Sequence, residues 1–526
     1  MYVTTSSESR ALDKVAIKDF GLPGIVLMEN AARSILRVAL EFWPDLGKAS
    51  HKILILAGPG QNGGDGFALA RLLAALGHSV DTCLVRNPGR EPAGDAAINY
   101  AVLKKLNLPL QIIESHDDPL PDFSKYGLIV DAVFGTGLDR PLTGQTARVL
   151  SQASRLPAPR PFRVLAVDLP SGLRGDTGEA EPEVLAADLT VSLGTLKIGL
   201  FLNSGPEVSG QVRLGDIGLC PPMFEAAKPG AMALDACYAK SLVPARPFSG
   251  HKGTFGHAVL CGGATGKTGA LVLAALGAQR SGCGLITAAH PASLSTVFEA
   301  KLTSAMTLPL PEFLPGEISS RASVVLRDFL QTRKVRAAAL GPGLGLGKEA
   351  KELVFDLAVN LSETLVLDAD ALTHLAGRAE VLADSAGHRI LTPHPGEAGR
   401  LLGVGSDEIE ADRPGAAREL AKITLSTVIL KGRHTLVSNL DGFLLVNLSG
   451  GPILATGGSG DLLTGLVTGL LAQGLDPFDA AALGVYLHGL AGDLAASKLI
   501  DRGIFPSEIQ ACLPEAWKTL IDQPTG

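Results

Sequence analysis

The chain ends one glycine-rich run with Gly457, Gly458, Ser459, Gly460 and Asp461, and an apolar helical pattern follows over 462–471. Glycines let a backbone approach a phosphate closely, and the start of a helix offers free N–H groups and the positive end of its dipole. A carboxylate in that position repels an anion. It is well suited to take the proton from a hydroxyl that attacks phosphorus. Asp461 is therefore the leading candidate base for phosphoryl transfer.

A second set of chemically capable residues lies near the start of the chain. An apolar run over 52–57 leads into Gly58, Pro59, Gly60, Gln61, Asn62, Gly63, Gly64, Asp65 and Gly66, and a helical pattern over 67–76 follows. Strand, glycine-rich loop and helix is the order of a phosphate cradle, although a tight turn would read the same way. The run 128–133 carries Asp131 and is followed by Phe134, Gly135, Thr136 and Gly137. Asp168 follows the run 164–167 and precedes Leu169, Pro170, Ser171 and Gly172. Ligands collect beyond the carboxyl ends of strands in open α/β sheets. There Asn62, Asp131 and Ser171 would form a hard oxygen donor set with one carboxylate, which suits potassium better than magnesium. Asp168 stays available for proton transfer. For Asp131 and Asp168 a turn or cap role is an equal alternative.

These residues need a scaffold. At 526 residues, with 46% hydrophobic and 19% charged residues, the chain reads as a globular protein of several domains. Short apolar runs at 52–57, 80–85, 128–133, 164–168 and 189–193 alternate with helical patterns, as in a doubly wound parallel sheet. The rhythm breaks between about 220 and 245 and restarts with runs at 257–261, 285–289, 337–340, 365–368, 390–392 and 428–431. The expected fold class is α/β with two domains: a Rossmann-like three-layer α/β/α domain over 1–225 and a ribokinase-like domain over 235–526.

A net charge of −7 and 5% aromatic residues argue against nucleic-acid binding. The six cysteines form no Cys-x-x-Cys pair and read as reduced thiols of a cytoplasmic protein. The first residues lack a signal-peptide core, and no apolar run of about 18 residues suggests a membrane span.

The second half carries further loops after apolar runs. Gly262 to Ala270 imitates a P-loop at Gly266 and Lys267, but Cys261 stands where that pattern needs glycine. Gly341, Pro342, Gly343, then Asp368 to Leu372, then Thr392 to Glu397 complete the set, with Lys431, Gly432, Arg433, His434 and Thr435 after the last run. His394 lies between two prolines, which restrict its backbone. It suits either ligand contact or a local backbone bond. Lys431 and Arg433 are candidate cationic donors to phosphate, or a solvated loop.

Asn62 to Gly66, Val130 to Gly137, Val167 to Gly172 and Leu27 to Ala31 together resemble the motifs of the NAD(P)H-hydrate epimerase family, over roughly residues 1–220. That resemblance implies that Gln61, Asn62, Gly63, Gly64 and Asp65 contact the hydrated cofactor, with Gly135, Thr136, Gly137, Leu138, Asp139, Arg140, Pro141 and Asp168 lining the same site. It also implies potassium on Asn62, Asp131 and Ser171. Gln61 stands where the family usually has Asn. The motifs from about 230 to 515 resemble the ADP/ATP-dependent NAD(P)H-hydrate dehydratases, a branch of the ribokinase-like fold. This implies that Ala270, Gly343, His394 and Asp461 contact the hydrated nicotinamide. Lys431 to Thr435 and Gly460 would then hold ADP or ATP, with Mg²⁺ on its phosphates. At Lys267 the family often has Met. The two resemblances imply repair of hydrated NADH and NADPH by epimerisation and nucleotide-dependent dehydration. A homo-oligomer with neither nucleic-acid nor membrane partners is expected. The competing expectation is a vitamin or sugar kinase with a noncatalytic N-terminal assembly module.

Overall fold

The computed structural model describes residues 1–47, 51–138, 140–156, 159–500 and 502–523. The chain divides into two compact units, Met1–Gly230 and Ala231–Gly526.

The first unit is built on a parallel sheet in the order Leu110–Ile113, Ser79–Val85, Lys52–Ala57, Leu128–Ala132, Arg163–Val167, Leu189–Leu193 and Gln211–Gly215. Its central strands are apolar on both faces because helices cover both. One buried cluster joins Ile53, Ile55 and Val130 to helices Gly24–Phe42 and Gln61–Ala75, and a second joins Leu54, Leu56 and Ile129 to helix Gly144–Ser154. Tyr2–Thr4 pairs in parallel with Leu196–Lys197.

Gly63, Gly64 and Gly66 belong to the helix Gln61–Ala75 and not to a loop. None has a positive φ. A Cβ on Gly63 would lie 1.8 Å from Gly58 O, and one on Gly66 would lie 2.7 Å from Ala132 Cβ. These glycines let the helix press onto the sheet. The phosphate-cradle loop expected there reduces to the turn at Gly58, Pro59 and Gly60, and close packing outweighs glycine's poor helix propensity.

In the second unit the strands run in the order Met306–Leu310, Leu285–Pro291, His257–Cys261, Ala337–Leu340, Thr364–Leu367, Arg389–Leu391, Thr427–Leu430, Leu436–Ser438, Leu444–Asn447 and Ala231–Leu234. The first seven are parallel, and the next two form an antiparallel meander. Helices Thr268–Arg280 and Ser459–Ala472 touch backbone to backbone through glycines. A Cβ on Gly465 would lie 1.8 Å from Ala274 O, and one on Gly277 would lie 2.2 Å from Leu462 O. Among the described residues no helix is long and apolar enough to cross a membrane.

Gly465→Ala forces these helices apart and is expected to cost about 1–3 kcal/mol, read as a lower unfolding midpoint in denaturant.

Candidate functional sites

In the first unit the carboxyl ends of three neighbouring strands bring the expected residues together. Asp131 and Ser171 are fully buried. Ser171 donates from its backbone N–H to Asp131 Oδ2 (2.7 Å) and from Oγ to Asp131 Oδ1 (2.5 Å). The Phe134 N–H donates to Ser171 Oγ at 2.8 Å, which holds the following loop. Burial pushes the Asp131 carboxyl up to about 6, against the lowering effect of the Ser171 hydrogen bonds.

Gly135 lies where Asn62 and Asp168 converge. A Cβ there would sit 3.0 Å from Asp168 Oδ2 and 3.1 Å from Asn62 Oδ1, while Asn62 Nδ2 is buried without a hydrogen-bond partner. Gln61 to Asp65 form the first turns of helix Gln61–Ala75, with Gln61 exposed and Asp65 buried. Thr136 O accepts from Arg10 Nη1 at 2.7 Å. Gly137, Arg140 and Pro141 are exposed and Leu138 is partly buried, while Asp139 falls outside the described residues.

Asp168 is not the unencumbered carboxylate that its place after a strand suggests. Lys197 Nζ lies 2.6 Å from its Oδ1. Asp65 and Asp13 face the same cluster. Burial raises both carboxyls, the first of them well above its usual range, and Asp168 adds to each. Sequence reading missed Lys197, Asp13 and Arg10. Their partners are distant in the chain, and no local motif marks them.

In the second unit a buried ion pair organises the corner that Asp461 occupies. Asp368, at the end of strand Thr364–Leu367, is 1% exposed. Its Oδ1 accepts from Lys431 Nζ (3.0 Å) and Thr392 Oγ1 (2.7 Å), and its Oδ2 accepts from Thr464 Oγ1 (2.7 Å). Glu397 Oε2 stands 3.9 Å from the same ammonium. Lys431 is thus directed inward to a carboxylate, and its pKa is raised because Asp368 and Glu397 outweigh the burial that opposes its charge. It also sits beside the start of helix Ser459–Ala472, 3.2 Å from where a Cβ on Gly460 would be.

Asp461 is in the first turn of that helix, three residues before Thr464, so the two share a face. Burial first, and then the charge of Asp368, push its carboxyl up to about 7, with Lys431 pulling it down and Asp370 adding to the rise. Behind it, His488 Nε2 lies 3.1 Å from Ser459 Oγ, and burial pushes this imidazole down to about 4, so it is neutral.

The remaining expected residues ring this corner. Gly343 packs against the imitation P-loop. A Cβ on it would lie 2.8 Å from Lys267 Cβ and 3.3 Å from Ala270 Cβ. Lys267 Nζ bonds Asp370 Oδ2 at 2.8 Å, and the Gly345 N–H donates to the same oxygen. His394 caps helix Pro395–Leu402: its Nδ1 accepts from Gly396 N, while Glu397 accepts from His394 N. In the loop after strand Thr427–Leu430, buried Arg413 donates to Arg433 O (2.5 Å) and shapes Gly432 and Arg433 from below. His434 Nδ1 lies 3.0 Å from Asn447 O, and Thr435 Oγ1 donates to Gly432 O. Among the described residues, no group of three or more His, Cys, Asp or Glu is arranged to hold a metal.

The second site sets a partly buried carboxylate in the first turn of a helix beside a buried lysine–aspartate pair, and the first gathers buried carboxylates at the carboxyl ends of strands. Two family models match the chain: YjeF-related protein N-terminus over residues 24–199 and NAD(P)H-hydrate dehydratase over residues 258–515. The bifunctional NAD(P)H-hydrate repair enzyme of Moorella thermoacetica is 38% identical, over 99% of this chain and 98% of that one. That of Thermofilum pendens is 33% identical, over 99% and 97%. Among solved structures, the ADP/ATP-dependent NAD(P)H-hydrate dehydratase of Bacillus subtilis, co-crystallized with ATP/Mg²⁺, is 30% identical, covering 55% of this chain and 98% of that one with a TM-score of 0.48. The chain belongs to the family of bifunctional NAD(P)H-hydrate repair enzymes.

Lys431→Met leaves Asp368 buried without its ammonium. Because Lys431 is 21% exposed, the expected cost is near the low end of the ~3–5 kcal/mol for breaking a buried pair, measured by thermal unfolding.

Proposed function

We propose that Asp461 is the base of the dehydratase and Asp168 the proton-transfer group of the epimerase in an enzyme that repairs hydrated NADH and NADPH. The observation that carries this reading is Asp461 itself, a partly buried carboxylate in the first turn of a helix, flanked by the Lys431–Asp368 pair.

Hydroxide is a poor leaving group, so water leaves C6 of the hydrated nicotinamide slowly. Asp461 takes the hydroxyl proton as that oxygen attacks the terminal phosphorus of ADP or ATP. The bond from that phosphorus to its bridging oxygen breaks, giving AMP or ADP and a phosphate ester at C6. The ring nitrogen lone pair then expels phosphate, a proton leaves the ring, and NADH or NADPH is restored. The amides at the start of helix Ser459–Ala472 offset charge on the transferred group. Lys431, Gly432, Arg433, His434, Thr435 and Gly460 hold the nucleotide, and Ala270, Gly343 and His394 contact the hydrated ring. Mg²⁺ accompanying the nucleotide would neutralise part of its phosphate charge.

The dehydratase acts on the S epimer, and the first unit converts R to S. Asn62, Asp131 and Ser171 would hold potassium. The oxygens of Asn62, Asp131 and Ser171 carry a single carboxylate charge between them, a set that fits a monovalent ion. Bound there, potassium supplies electrostatic positioning of the substrate. Gln61, Asn62, Gly63, Gly64, Asp65 and the loop from Gly135 to Pro141 line the site. The chain is proposed to work in the cytoplasm as a homo-oligomer.

Asp461→Asn is expected to keep nucleotide affinity by calorimetry and to lose about 10²–10⁴-fold in dehydration. Turnover is read as free phosphate together with the returning absorbance of reduced nicotinamide. Wild-type turnover by this variant would remove Asp461 from the role.

A base works only when deprotonated, so kcat/KM should rise with pH and level off above about 7, where the Asp461 carboxyl titrates. Asp370→Asn removes a charge that raises this carboxyl, so the rising limb should move to lower pH. A profile unchanged by that substitution would contradict the assignment.

A further inference from the structure

The first site contains a buried ammonium to which the chemistry above gives no part. Lys197 is 1% exposed. Its three hydrogens have three acceptors: Leu193 O at 2.7 Å, Thr195 O at 3.1 Å and Asp168 Oδ1 at 2.6 Å. The Leu193 N–H also donates to Asp168 Oδ1, at 3.0 Å. That oxygen is consumed. Oδ2 lies on the other side, toward the volume that Gly135 keeps clear beside Asn62 Oδ1.

Several features hold this arrangement in place. Asp168 has φ +66°, a left-handed backbone that a non-glycine residue keeps only when its surroundings over-determine it. The segment Leu196–Lys197 is pinned by pairing with Tyr2–Thr4, with Thr4 opposite Lys197. Thr4 Oγ1 and Thr195 Oγ1, both buried, are 2.7 Å apart. The charged groups facing Asp168 are Lys197, Asp65 on helix Gln61–Ala75 and Asp13 on helix Ser6–Lys18. Burial and the charge of Asp168 both favour the protonated form of the two carboxyls. Among the described residues Lys197 is the cation that faces these carboxyls, and two carbonyls alone would not offset the cost of burying it.

We propose that Lys197 is the positioning residue of the epimerase site: it occupies Asp168 Oδ1 and so reserves Oδ2 for the proton exchanged with the hydrated nicotinamide. This rests on the reading of Asp168 as the proton-transfer group. Lys197 has no hydrogen to spare for substrate, so it acts only through that carboxylate.

The test is epimer interconversion by the full-length protein without nucleotide, so that dehydration cannot consume either epimer. Dehydration of the S epimer by the same sample, with nucleotide added, reports on folding. Lys197→Met is expected to lower the epimerisation kcat about 10²-fold with KM little changed and dehydration intact. In an Asp168→Asn background the same substitution should cost nothing further. Wild-type epimerisation by Lys197→Met, alongside an inactive Asp168→Asn, would overturn the role of Lys197 alone. Wild-type epimerisation by Asp168→Asn would remove the underlying reading and this proposal with it. Should Lys197→Met fail to fold, the double variant with Asp168→Asn decides the matter. Recovery of the wild-type unfolding midpoint supports the pair as the unit of function. An equally unfolded double variant would show that Lys197 serves only the Leu193 and Thr195 carbonyls.

Discussion

The ammonium of Lys431 held against Asp368 is the contact on which the second site depends. It joins the ends of two parallel strands, and Thr392 and Thr464 complete the shell around the same carboxylate. Through Thr464 the shell fixes helix Ser459–Ala472 in rotation. Asp461 lies on the same face of that helix and is thereby aimed. A buried carboxylate bonded on both oxygens is held in one orientation. Burial, and then the charge of Asp368, raise the Asp461 carboxyl to about 7. Asp368 thus bears on both the placement and the acidity of Asp461.

The first unit uses the same device with different parts. There too a carboxylate beyond a strand end meets a buried lysine from elsewhere in the chain, Asp168 with Lys197. The distinction lies in what remains open. Asp368 has both oxygens occupied and serves as a fixed charge. Asp168 has one occupied and one facing a space lined by Gly135 and Asn62. A fully bonded carboxylate suits support, and a half-bonded one suits proton exchange. Glycines set the clearances in both units, at Gly135 and at Gly460.

Much of this arrangement was legible in the amino-acid order. Parallel strands covered on both faces appear as unbroken apolar runs, so Lys52–Ala57, Leu128–Ala132 and Ala337–Leu340 stand out, and each is followed by chemistry at its carboxyl end. Asp131 within the second of these runs, Asp168 and Asp368 after strands Arg163–Val167 and Thr364–Leu367, and Asp461 after its glycines were visible for the same reason. The start of helix Gln61–Ala75 was not. Its glycines read as a loop because their intrinsic preference is against helix, and only the sheet pressing on them reverses it. The lysine partners were hidden as well, since a pairing between residues 368 and 431 is set by topology. The meander of Leu436–Ser438 and Leu444–Asn447 had a usable signal in Asp441 and Gly442 between two apolar runs.

The strand pair of Tyr2–Thr4 with Leu196–Lys197 joins segments separated by some 191 positions, as the Thr4 to Thr195 contact records. Synthesis delivers a chain from its first residue onward, so the opening segment must wait for its mate. The seven-stranded sheet has most of its strands available before then, and the closing of this long loop comes late with a matching entropic cost. A nascent first unit would thus be compact before it is competent. The surroundings of Asp168 are completed only when the two ends of this stretch of chain meet.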